Sequence, residues 1–112
     1  MSVTIYHNPK CSKSRETLKL IEDKGLAPRV VEYLKTPPSA AELTVILRQL
    51  GLPASGLLRK KEAAEAGIDP ALPEEALIAA MAAHPAVIER PIVVSGGQAR
   101  LGRPPEQVLE IL

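Results

Sequence analysis

Val3-Thr4-Ile5-Tyr6-His7-Asn8-Pro9-Lys10-Cys11-Ser12-Lys13-Ser14-Arg15 is the stretch whose reading decides the fold. Val3 to Tyr6 is a β-favouring run, and His7-Asn8-Pro9-Lys10 supplies turn chemistry and a helix breaker, so a strand runs into a loop. From Ser12 onward Leu18 and Ile21 stand three apart, with Thr17 and Leu20 widening the stripe, and Gly25 stops the pattern, which predicts a helix over 12–24. Val30, Val31, Glu32 and Tyr33 then form a second strand. Strand, helix and strand in about thirty residues have the size of a right-handed βαβ crossover, so the two strands are expected to be parallel neighbours.

Downstream, Pro37-Pro38-Ser39 breaks the chain and offers an N-cap, and Glu42 completes a capping box. Leu43, Ile46, Leu47 and Leu50 follow at helical spacing up to Gly51. Residues 52–73, rich in proline and carrying the basic triplet Arg59-Lys60-Lys61, predict loops and short helical turns. Pro73-Glu74-Glu75 opens another helix that ends near His84-Pro85, with acidic residues at the positive end of its dipole. Ile92-Val93-Val94, the turn Gly96-Gly97 and Ala99 to Leu101 read as an antiparallel hairpin. Pro104-Pro105-Glu106 starts a final helix with Val108, Ile111 and Leu112 on one face. The order βαβ, a helical stretch, ββ, α describes an α/β fold with a mixed four-stranded sheet and helices on its faces.

Composition narrows the function classes. The 112 residues allow one domain, 1–112. Fourteen basic residues against thirteen acidic ones leave a formal charge of +1, which argues against bulk capture of nucleic acid or an anionic membrane. Two tyrosines without Phe or Trp provide no stacking platform for single strands. The longest charge-free apolar run, Ala76 to Ala83, is far shorter than the ~20 residues of a bilayer span. No basic start, apolar stretch or small-residue cleavage site precedes the first strand, so a soluble, cytoplasmic protein is expected.

Cys11 is the only cysteine, so no intrachain disulfide and no cysteine-rich metal site can form. It sits where a strand becomes a helix, facing unpaired backbone N–H groups and the positive end of the helix dipole. Both favour thiolate, as would Lys10, Lys13 and Arg15 nearby, and such settings bring a thiol pKa from ~8.5 into the ~3.5–7.5 range. A lone cysteine can equally be an inert small hydrophobe, but polar and basic flanks at a strand–helix junction favour a nucleophile. Ser14 lies one helical turn on, in Cys-x-x-Ser. Its hydroxyl either donates to the sulfur anion or is an ordinary first-turn polar group, and it cannot resolve a mixed disulfide. His7 either lowers the thiol pKa by its charge or is a loop or core histidine, and no acidic or thiol partners make it a metal ligand. His84 reads as structural. Arg59, Arg90 and Arg103 stand beside turn or breaker residues, where a guanidinium fork suits a tetrahedral oxyanion or is simply a solvated charge.

Taken together, His-Asn-Pro-x-Cys-x-x-Ser-Arg at 7–15, Tyr-Leu-x-x-Pro-Pro-Ser at 33–39, Leu-Leu-Arg-Lys at 57–60, Arg-Pro-Ile-Val-Val at 90–94 and Arg-Pro at 103–104 resemble the glutaredoxin-coupled arsenate reductases along essentially the whole chain. The resemblance implies a thioredoxin-like fold with an inserted helical region, in which the residue before a cis-proline faces the active-site cysteine. Arg90-Pro91 stands where that motif is expected. It further implies Cys11 as nucleophile, His7 and Ser14 as groups assisting the thiolate, and Arg59, Arg90 and Arg103 as the oxyanion-binding arginines. The implied substrate is arsenate, with glutathione as co-substrate and glutaredoxin as partner; no bound cofactor, no metal and a monomeric state are expected. Two other readings stay open: a thiol-dependent reductase of a glutathione conjugate or another small molecule, and a non-catalytic module like the transcription regulators among the family's thioredoxin-like relatives, although Ser14 removes their Cys-x-x-Cys switch.

Overall fold

Val3, Ile5 and His7 are buried while Thr4 and Tyr6 between them are half-covered, the alternation of a strand with one face on a core. The computed structural model describes residues 2–112. Its contacts group into two compact units, one formed by the chain up to Thr36 together with Arg90–Leu112, the other by Pro37–Glu89.

In the first unit β1 (Val3–His7) leads into α1 (Ser12–Asp23) and β2 (Arg29–Glu32), and the chain returns through β3 (Ile92–Ser95) and β4 (Gln98–Leu101). The sheet order is β2-β1-β3-β4. β1 and β2 are parallel, with His7 opposite Glu32. β3 runs antiparallel to both β1 and β4. The mixed four-stranded sheet, the βαβ unit and the hairpin of the thioredoxin-like arrangement are therefore all present. Ile5 and Val93, paired across β1 and β3, join Val3, Ile21 of α1, Val108 and Ile111 in one core cluster, with Leu18, Leu26 and Leu112 packed against it. Gly96 and Gly97 both take positive φ, 58° and 79°, which a two-residue hairpin turn requires at both central positions.

Two details differ from the sequence reading. β2 ends at Glu32, so Tyr33 leaves the strand into a turn and is buried. The final helix is a 3₁₀ helix, Pro105–Ile111, rather than an α-helix. Its buried residues are Pro105, Val108 and Ile111, spaced by three. With three residues per turn those side chains stack on one line over the core.

The second unit contains α2 (Ala40–Leu50), a 3₁₀ turn Ala54–Gly56, α3 (Lys60–Glu65), α4 (Glu74–Ala83) and a second 3₁₀ turn Pro85–Val87. The capping box forms as expected: the Ser39 hydroxyl accepts from Glu42 N at 3.1 Å, and Glu42 Oε1 accepts from Ser39 N at 3.0 Å. Leu43, Ile46 and Leu47 of α2 and Leu77, Ile78 and Met81 of α4 are buried. A bridge between Leu58 and Ile88 closes the unit beside Arg59. No helix among the described residues is long and apolar enough to cross a membrane.

Gly102 joins the ends of this framework in the first unit. Its N–H donates to the Pro91 carbonyl at 3.0 Å, and a Cβ at this position would collide with Thr17 Oγ1 of α1 and with the Pro91 ring. Neither is the loose end of a flexible chain, because Thr17 is branched at Cβ and its hydroxyl donates to the Lys13 carbonyl at 2.7 Å. Gly102→Ala is expected to lower stability by about 1–3 kcal/mol. A lower urea midpoint at unchanged slope is the reading that supports this; a wild-type midpoint would contradict it.

Candidate active site

Cys11 is the N-cap residue of α1, with φ −96° and ψ 124°. A serine or aspartate there would turn its oxygen onto the N–H groups of the second and third helical residues. Here those residues are Lys13 and Ser14, and their N–H groups face the Cys11 sulfur without closing an aligned capping bond. The loop that holds this geometry is tied to itself. Cys11 N donates to the Asn8 carbonyl at 3.0 Å, Lys10 N to Asn8 Oδ1 at 3.0 Å, and the Arg15 guanidinium to the Pro9 carbonyl at 2.9 Å.

Partial burial pushes the Cys11 thiol up, but the Ser14 N–H, the hydrogen bond and positive charge of Arg90 and the Lys13 N–H together outweigh it. The thiol is held below its ordinary range, and the anion is favoured. Arg90 comes from the far end of the chain, immediately before the cis peptide bond to Pro91 and two residues before β3 begins. The cation on the sulfur is thus Arg90; Lys13 acts through its backbone, and Arg15 is turned to Pro9.

His7 and Ser14 are brought together, though not in the roles their spacing implied. His7 Nδ1 and Ser14 Oγ share a hydrogen bond of 2.7 Å, and Ser14 Oγ also accepts from Asn8 N at 3.0 Å. The Ser14 backbone N–H faces the sulfur, and the Ser14 hydroxyl ties the loop to β1. His7 is buried, and burial lowers its pKa, opposed by Glu32 and reinforced by Arg15, so the ring is neutral at pH 7.

The other two arginines are placed separately. Arg103 is exposed, between Gly102 and a second cis bond to Pro104, and is not among the groups acting most strongly on the thiol. Arg59 is the N-cap of α3 in the second unit, half-buried between Glu62 at 3.5 Å and Glu89 at 3.7 Å. One neighbour of the sulfur was missed by sequence reasoning. Tyr33 is 2% exposed, and Arg90, Cys11 and Asn8 face its hydroxyl. The available signal was an aromatic at the end of the second strand in a chain with only two aromatics. Among the described residues no group of three His, Cys, Asp or Glu could hold a metal ion.

A cysteine at a helix N-terminus, its thiol pKa lowered by an arginine ahead of a cis-proline, lies within residues 6–111, which match the ArsC family. The chain belongs to that family. An arsenate reductase from Neisseria meningitidis is 48% identical over 98% of this ArsC-family chain and 97% of its own length. The Escherichia coli K12 protein called uncharacterized protein YfgD is 55% identical over 98% of this chain and 96% of its own. The solved arsenate reductase of Vibrio cholerae is 58% identical, covering all of this chain and 98% of its own, with a TM-score of 0.91.

The neutral His7 of this ArsC-family chain gives a pH dependence of defined sign. Its folded pKa lies below the ordinary 6.5, so as pH falls through that value the unfolded chain takes up a proton that the folded one refuses. Stability is full above the unfolded pKa and declines toward the lowered folded value. His7→Asn, which cannot titrate, is expected to flatten the fall in urea midpoint between about pH 7 and about pH 5.5. Parallel profiles for the two proteins would contradict the assignment.

Proposed function

We propose that the protein is a cytoplasmic, monomeric arsenate reductase that uses glutathione and glutaredoxin, with Cys11 as its nucleophile. The observation that carries the reading is the Cys11 sulfur at the start of α1, its thiol pKa lowered by the N–H groups there and by Arg90, in a chain of the ArsC family. Membership and the arsenate reductases among its relatives support arsenate as the substrate, and the geometry around Cys11 supports its sulfur as the attacking atom.

In the proposed sequence the Cys11 thiolate attacks As(V), a sulfur–arsenic bond forms, and an arsenic–oxygen bond breaks, its oxygen leaving as water after protonation. Arg90 balances the oxyanion charge, and the family pattern gives Arg59 and Arg103 the same role. The His7–Ser14 pair keeps the loop, and with it the sulfur, in place. A glutathione thiolate then attacks the Cys11 sulfur. A disulfide forms, the sulfur–arsenic bond breaks with its electron pair staying on arsenic, and protonated As(III) leaves as arsenite. Cys11 is the only cysteine, so no second thiol of this chain can displace glutathione, and glutaredoxin resolves the mixed disulfide. A cytosolic glutathione pool is the setting in which that cycle runs.

The test is arsenate-dependent NADPH consumption with glutathione, glutathione reductase and glutaredoxin supplied. Cys11→Ser is expected to abolish it. Arg59→Ala and Arg90→Ala are each expected to lower kcat/KM for arsenate about 10- to 150-fold, the loss of ~1.5–3 kcal/mol for a hydrogen bond to a charged group. Wild-type turnover in Cys11→Ser or Arg90→Ala would overturn the reading, and omitting glutaredoxin is expected to stop the cycle after one turnover.

A further inference from the structure

Tyr33 is the buried titratable side chain that the reaction sequence above does not use. Its position follows from strand register. β1 and β2 are parallel and His7 lies opposite Glu32, so Asn8 and Tyr33 leave the two strands side by side at their C-terminal ends, where α1 begins. Ligand chemistry in α/β sheets gathers at such strand ends. The Tyr33 ring is buried and its hydroxyl oxygen is fully covered, yet the hydroxyl has no hydrogen bond of aligned geometry. A buried hydroxyl in that state costs about 1–3 kcal/mol and calls for an explanation.

The side chains facing the hydroxyl provide one. Arg90 and Asn8 are both close enough to act on it as donors, and Cys11 acts on it as a negative charge. The groups acting on Cys11 are Arg90 and the N–H groups of Ser14 and Lys13, while Glu32 and Arg15 act on His7. Arg90 is therefore the one cation common to the phenol and the sulfur. Burial, the largest influence on the phenol, and the Cys11 charge keep it protonated, whereas Arg90 and Asn8 pull the other way. A neutral phenol oxygen can accept from a guanidinium without adding a second negative charge that would compete with the thiolate.

We propose that the Tyr33 hydroxyl is a positioning group: its oxygen, without an aligned bond in this structure, accepts from the Arg90 guanidinium when the thiolate forms, and so keeps the cation on the Cys11 sulfur. The proposal rests on Cys11 as the working thiol. It assigns Tyr33 no contact with arsenate, so it is read without arsenate.

The experiment follows the rate of Cys11 alkylation by iodoacetamide against pH in the full-length protein, in wild type, Tyr33→Phe, Arg90→Met and the double variant. Tyr33→Phe keeps the ring and removes one oxygen. The expected result is an upward shift of the thiol titration by about half a unit to one unit, so that alkylation well below the thiol pKa slows about three- to tenfold while the alkaline plateau is unchanged. In the Arg90→Met background the same substitution is expected to move nothing, because the route through the guanidinium is gone. An unshifted profile for Tyr33→Phe overturns the proposal, and so does an equal shift in both backgrounds, which would mean that the phenol acts on sulfur directly or through packing. Thermal midpoints of the variants close to that of their parents are the expected companion result. Failure of the arsenate reductase reading is seen in the NADPH assay alone and leaves this titration intact.

Discussion

The contact between the Cys11 sulfur and the Arg90 side chain is the interaction on which the rest of the structure depends. A thiolate that is partly removed from water is disfavoured by desolvation, and here that penalty is the largest single influence on the group. Two kinds of positive potential overcome it. The first is local, the N–H groups of Lys13 and Ser14 at the opening turn of α1. The second is distant in sequence, a guanidinium delivered 79 residues later by the turn into β3. Local chemistry alone gives a cysteine at a helix start; the sheet adds a guanidinium that lowers its pKa further.

The first unit holds those two pieces at fixed separation. Ile5 of β1, Ile21 of α1 and Val93 of β3 share one buried cluster, so the strand before the loop, the helix after it and the strand after Arg90-Pro91 are locked to each other by packing. Gly102 adds a second lock, because only a residue without a Cβ fits between Thr17 and the Pro91 ring. His7 takes part from the same buried face as Ile5, and its bond to Ser14 ties the end of β1 to the first turn of α1. Its burial keeps it neutral, which makes it a structural anchor and leaves Arg90 as the cation next to the sulfur.

What could be read from the sequence was local. The capping box at Ser39 and Glu42, the Gly96-Gly97 turn and the position of Cys11 at a strand–helix junction are each decided by residues a few places apart, and each has its own chemical signature. What could not be read from spacing depends on partners brought in from elsewhere or on competition among neighbours. The Ser14 hydroxyl had more than one partner open to it, and the path of β1 brought it to His7. Tyr33 looked like the last residue of a strand, and only the parallel register with β1 brings it beside Asn8 and toward the thiol. The final helix was legible as a helix, but its type turns on three-residue spacing that overlaps with an α-helical stripe at Val108 and Ile111.

That last segment constrains chain length more than side-chain identity. Pro105, Val108 and Ile111 meet the core because every third position returns to the same azimuth. An extra residue between them would rotate everything that follows by roughly 120°, carrying Ile111 off the core and Glu110 onto it. Exchanges among aliphatic residues at those three positions leave the azimuth intact, so divergence along this stretch should proceed by replacement and not by insertion.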